Sequence, residues 1–110
     1  MAKMEYKAEY ERKRMLENLG YKVYRVSGIP GNLLALRKEG RRYMVYVEIV
    51  KSVKGDVFYF DKKTRDDWRK LRRAGIDSYL VLRFSYKHRV SWRTMRILTD
   101  PPKKISLHGD

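Results

Sequence analysis

The chain has 110 residues, with 27 Lys or Arg against 13 Asp or Glu and a formal charge of +14, a length that suits one domain with a modest core. At 43% hydrophobic and 13% aromatic residues, it carries too much apolar side chain for a disordered basic tail. The lack of cysteine excludes disulfide scaffolds, thiolate zinc sites and cysteine nucleophiles, and no apolar run reaches the roughly 18 residues of a membrane span.

The expectation is therefore a folded, soluble, cytoplasmic basic domain. A helix is predicted over about 5–19, with Ala8, Met15, Leu16 and Leu19 as its apolar stripe and Gly20 as its stop. Arg12, Lys13, Arg14 and Glu17 occupy its other face. A short strand follows over 21–26, and Ser27-Gly28-Ile29-Pro30-Gly31 reads as a mobile loop. Strands at 33–38 and 42–50 flank a Glu39-Gly40 turn, giving a hairpin. After a polar loop at 51–56 come a short strand at 57–60 and a helix at 62–74. Asp61 caps that helix, Trp68 and Leu71 face inward, and Gly75 ends it. An apolar strand at 77–84 is predicted to be central, and another strand occupies 91–98. The order is about αββββαββ, an α/β mixed sheet flanked by helices over residues 1–98, with 99–110 as a polar tail.

Basic residues recur on nearly every element, and such a field attracts polyanions. Nucleic acid is the expected partner rather than a membrane, with binding that weakens steeply in salt as counterions are released. Arg12, Arg14, Arg25, Arg41, Arg42, Lys62, Arg69 and Arg72 are the candidate phosphate contacts. No base-reading motif accompanies them, so recognition is expected to follow backbone geometry. The competing explanation is the ion-rich surface of a thermophilic protein, which the absence of Gln and Cys favours and five Met disfavour. Thermophilic surfaces usually balance their cations with Glu, however, and this chain does not.

The third strand alternates, with Arg42, Met44, Tyr46, Glu48 and Val50 on one side and Tyr43, Val45, Val47, Ile49 and Lys51 on the other. Glu48 is then a lone acid among apolar neighbours, either a metal ligand or the partner of a nearby Arg. Asn32, at the loop end of its strand, is placed to approach Glu48. Glu9 and Glu11 come from the first helix, where a solvated acid is the plainer reading of Glu9. Trp68 and Trp92 read as core, and Tyr86-Lys87-His88-Arg89 as an exposed loop suited either to phosphate contact or to a plain turn.

A series of short motifs runs along most of the chain: Leu19-Gly20-Tyr21, Val23-Tyr24-Arg25, Asn32-Leu33-Leu34-Ala35, Arg41-Arg42-Tyr43 and Val47-Glu48-Ile49. It continues through Tyr59, Leu71-Arg72-Arg73-Ala74-Gly75, Leu80-Val81-Leu82-Arg83-Phe84 and Trp92-Arg93. In their order and spacing, from about Ala8 to Arg96, the chain resembles the archaeal Holliday junction resolvases, a branch of the PD-(D/E)xK nucleases with a restriction-endonuclease-like fold. The resemblance implies a homodimer that nicks four-way DNA junctions with Mg²⁺. A helix Glu, a strand Asp and a Glu-x-Lys pair would hold the metal and support the attacking water or the scissile phosphate.

Glu48 matches that pattern. The helix Glu falls on Glu9, or on Glu11 if two residues are deleted; the Asp position holds Asn32 and the Lys position holds Val50. Lys51 is one residue late, and only a β-bulge near Val50 would turn it back. Glu9 and Glu48 are thus the remaining candidate metal ligands, for a weakly bound Mg²⁺ or none. The leading expectation is a nuclease-fold protein that binds branched or duplex DNA with little or no cleavage. Three alternatives stay open: an active Mg²⁺-dependent structure-specific endonuclease using Glu9, Glu48 and Lys51, an RNA-binding protein, and a module that regulates a resolvase. Asn32→Asp combined with Val50→Lys is expected to create or raise cleavage.

Overall fold

The structure, a computed structural model, describes residues 4–109 of the chain. Helix α1 (Met4–Asn18) is followed by strands β1 (Lys22–Arg25), β2 (Leu33–Glu39), β3 (Arg42–Lys54) and β4 (Val57–Tyr59). Then come helix α2 (Lys62–Ala74), β5 (Ser78–Tyr86), β6 (Arg89–Arg96) and β7 (Lys104–Ser106). Five strands form one mixed sheet in the order β1-β2-β3-β5-β6, in which only β3 and β5 are parallel neighbours. A parallel pair needs a long crossover, and β4 with α2 supplies it.

Strand parity divides the core into two layers. Val47, Ile49 and Val53 of β3 join Leu80, Leu82 and Phe84 of β5 beneath Trp68 and Leu71 of α2. Val50 and Val81 face the other way, with Val23, Leu33 and Ala35, toward Ala8 and Leu16 of α1. The helices therefore cover opposite faces. β5 is buried over most of its length, as expected of a central strand flanked on both faces.

The α2 boundaries follow from local chemistry. The Asp61 carboxylate accepts the Thr64 amide at 2.7 Å, and Gly75 closes the helix at φ 69°, its N–H donating to the Arg72 carbonyl at 3.2 Å. The indole N–H of buried Trp68 donates to the Thr99 carbonyl at 2.7 Å, so the largest core side chain leaves no unpaired donor.

Five expectations need correction. β3 continues to Lys54, because its pairing with β5 runs unbroken from Val47↔Ser78 to Lys54↔Ser85; the expected polar loop shrinks to Gly55-Asp56. β6 begins at Arg89 and pairs back to Tyr86, so the 86–89 segment is a tight hairpin turn. The expected tail contains β7, which pairs with β4 and buries Ile105 beside Phe58; residue 110 lies outside the described residues. Of the expected α1 stripe, Met15 and Leu19 are exposed, Leu19 lying just past the helix end, and among the described residues Ala8, Glu9, Arg12 and Leu16 face the sheet. Trp68 is core as expected, whereas Trp92 is partly buried at the margin of the α1-side cluster.

Asp61 supplies a stability test. Burial pushes its carboxyl up, but the Thr64 amide and the charges of Lys51 and Lys63 outweigh this and hold it below the usual carboxylate value. Asp61→Ala is expected to cost about 1 kcal/mol in urea denaturation, and Asp61→Asn much less. A depressed carboxylate stabilises the fold above its ordinary pKa and loses that contribution as pH falls through its lower folded value. The advantage of Asp61 over Asp61→Asn should therefore shrink as pH falls below about 4.

Candidate functional site

α1 settles on the sheet through charge as much as through apolar contact. Among the described side chains of α1, Ala8 and Leu16 are the buried apolar ones, and three of its charged side chains find partners on three different strands. Glu48 on β3 is 4% exposed and accepts both Arg12 Nε, at 2.8 Å, and Arg12 Nη2, at 2.9 Å. Glu11 receives Arg83 of β5 in the same two-pronged way, at 2.8 and 3.2 Å, and Arg83 is itself buried. Glu9 is 7% exposed and binds Arg25 of β1, with Nε at 3.1 Å and Nη2 at 3.0 Å. Two-pronged guanidinium–carboxylate contacts are directional as well as strong, so they fix the rotation of the helix as well as its position.

Asn32 joins this seam. Its Nδ2 donates to Glu9 Oε1 at 2.9 Å, and its Oδ1 accepts the Val50 amide at 2.7 Å. Its own amide donates to the Glu48 carbonyl at 2.8 Å. Gly31 makes that approach possible: at φ 101°, a Cβ there would lie 2.6 Å from Val47 Cγ1 and 3.3 Å from the Glu48 carbonyl oxygen. Asn32 thus lies beside Glu48 through the backbone, as expected, while its side chain is committed to Glu9 and the strand.

The positions that the resemblance singled out are therefore gathered, in altered form. Glu9 is buried and bonded, which corrects its reading as a solvated acid. Glu11 pairs with Arg83 instead of joining Glu9 and Glu48. Val50 is 1% exposed in the α1-side core. Lys51 leaves through the α2 face, where its charge acts on Asp61; the unbroken β3–β5 register contains no bulge to turn it back. Val50→Lys would bury an ammonium in an apolar layer, so the expected reactivating double substitution carries a folding penalty.

The donor set does not fit Mg²⁺. A hard divalent ion takes oxygen ligands carrying net negative charge, yet both Glu9 oxygens and both Glu48 oxygens are engaged by N–H donors. The two carboxylates and two guanidiniums cancel, and Asn32 adds no charge. Sequence reasoning missed the arginine partners of Glu9 and Glu11, which are 16 and 72 residues away. The available signal was an arginine on a strand otherwise apolar, as at Arg83 within Leu80 to Phe84.

Beside this seam, Arg12, Leu16, Leu19, Tyr21, Tyr46, Glu48, Tyr79 and Thr94 line a cavity of about 210 Å³. Tyr46 lies between Tyr21 and Tyr79, with ring centroids 5.8 Å from each; burial and then the Tyr21 phenol raise its pKa above the ordinary value.

The expected phosphate contacts divide into two groups. Arg12 is largely buried in its Glu48 pair, Arg25 binds Glu9 and Tyr10, and Arg72 binds Asp100 at 2.6 Å. Arg14, Arg41, Arg42, Lys62 and Arg69 are exposed. Arg14 belongs to α1, whereas Lys62, Arg69 and Arg72 belong to α2, so the set spans opposite faces of the sheet.

No family model matches the chain, and no curated protein matches it. Among solved structures it is similar to Hjc, a Holliday junction resolvase of the archaeal hyperthermophile Archaeoglobus fulgidus, with a TM-score of 0.69 and 24% identity. The match covers 94% of this chain and 84% of that one. At this identity the likeness shows the fold, the mixed α/β resolvase architecture that the sequence resemblance implied.

The seam predicts a distinctive double-mutant cycle. Glu48→Leu leaves Arg12 without its carboxylate and is expected to cost about 3 kcal/mol, with a comparable loss for Arg12→Met. Combining the two removes both charges and should restore most of the loss in urea denaturation. Additive losses would mean that the pair does not govern docking of α1.

Proposed function

We propose that this protein binds branched or duplex DNA through the phosphate backbone and does not cleave it. The observation that carries the reading is the neutralised seam: at the positions where a resolvase would gather acids for a cation, Glu9 and Glu48 are each held by an arginine and the third position is an amide. A cation there would have to displace two guanidiniums, and the lysine that would assist water lies on the other face. The shared fold with a junction resolvase and the net charge of +14 support DNA as the polyanion. The exposed cations of the β2–β3 hairpin and of α2 supply backbone contacts without a base-reading pattern. A homodimer, as the resemblance implies, would double that surface.

The test incubates the protein with a labelled four-way junction and a matching linear duplex, with Mg²⁺ or Mn²⁺. Retarded complexes and intact strands are expected. Removal of one true contact, for instance by Arg69→Gln, should weaken all sequences alike and reduce the salt slope by about one. Metal-dependent nicking that Glu48→Gln abolishes would overturn the non-cleaving reading. Failure to bind either DNA at low salt would overturn DNA binding itself.

Asn32→Asp is informative separately. It would place a second carboxylate at the 2.9 Å contact now made by the amide N–H to Glu9, where like charges repel. Its melting temperature is expected to fall and to rise again with added Mg²⁺, while the parent protein shows little response.

A further inference from the structure

A second concave surface lies away from the α1 seam, on the α2 side of the sheet. Tyr86, Lys87, Arg89, Ser91, Leu107 and His108 line a cavity of about 600 Å³, within the size range of small-ligand sites. Its wall comes from two segments far apart in the chain, the β5–β6 hairpin and the turn after β7. Arg93 Nη1 ties them together by donating to the Leu107 carbonyl at 2.9 Å, and the Leu107 amide donates to the Asp56 carbonyl at 2.7 Å.

The hairpin pairs Tyr86 with Arg89 across only two residues, Lys87 and His88, at φ 49° and 62°. Such a turn favours Asn-Gly, and side chains in the left-handed region are disfavoured. Here the strained turn holds a lysine at the mouth of the cavity. Lys87 Nζ lies 5.3 Å from the centroid of the Tyr86 ring, and His108 meets the same ring edge-on at 5.7 Å. Among the described residues neither Lys87 nor Arg89 has a carboxylate partner; the nearby acid is Asp56, 3.8 Å from His108.

We propose that this cavity holds one unpaired nucleotide of a DNA strand, its phosphate on Lys87 and Arg89 and its base against His108 and Leu107. Paired cations beside an aromatic and an aliphatic wall suit a phosphodiester with an exposed base, the combination used in sequence-tolerant single-strand binding. A base stacked inside a duplex cannot present its face in this way, so the cavity adds a preference for open strands that the outer cations lack. Ser91 offers a hydroxyl to the sugar or the base edge.

The test measures fluorescence anisotropy with a labelled oligothymidylate about 12 nucleotides long and a blunt duplex of equal length. His108→Ala removes the ring that meets Tyr86 in the cavity wall. Lys87→Asn with His88→Gly removes the ammonium and relaxes the turn, so it should raise the melting temperature and cannot fail merely by unfolding. Each variant is expected to weaken oligothymidylate binding about tenfold and duplex binding less than about twofold. The proposal is overturned if the parent protein does not bind the oligothymidylate, if either variant retains its affinity, or if both DNAs weaken in equal proportion. Single-strand binding that persists in a parent protein indifferent to duplex and junction would defeat the backbone-binding reading above and leave this cavity standing.

Discussion

The Arg12–Glu48 pair is the constraint around which this molecule is arranged. Among the described side chains of α1, Ala8 and Leu16 are the buried apolar ones, each contributing a few kcal/mol at most. Charged side chains enter the same interface, and each must be matched there because an isolated buried charge is far more costly than an exposed one. Glu9, Glu11 and Arg12 lie within one turn of α1 and reach β1, β5 and β3 respectively. The helix is thus pinned across the sheet by directional contacts.

That arrangement governs the chemistry available. Carboxylates serving as docking points for arginine are already satisfied, and a site whose formal charges cancel offers a cation little electrostatic reason to enter. Glu9 and Glu48 meet at one seam together with their arginine partners. Asn32 completes the substitution by being bifunctional: the amide donates to Glu9 and accepts from the strand at once. A carboxylate at that position could do only the second.

Because these pairs are internally balanced, the net charge of +14 is displayed by the remaining surface. Exposed cations occur on the β2–β3 hairpin, along α2 and around the β5–β6 turn, so attraction to a polyanion does not depend on one patch. The sheet separates the two helices, so the exposed cations of α1 and of α2 lie on opposite faces. The cavity at the β5–β6 turn sets Lys87 and Arg89 beside the Tyr86 and His108 rings.

Much of this was legible in the chain. Asp61 and Gly75 bracket α2 because a cap and a left-handed terminator act within a few residues. The period-two alternation of β3 correctly assigned Glu48 and Val50 to one face and Lys51 to the other, since pleating is a local property. The family-like order of motifs identified the fold. What stayed hidden were events between distant residues: Arg83 turning a core strand position toward Glu11, Arg25 reaching Glu9, and β7 leaving an apparent tail to pair with β4. Local patterns specify where a side chain points, because backbone geometry repeats from residue to residue. Which opposite charge it meets depends on how layers stack, and that is set only when the whole chain has closed.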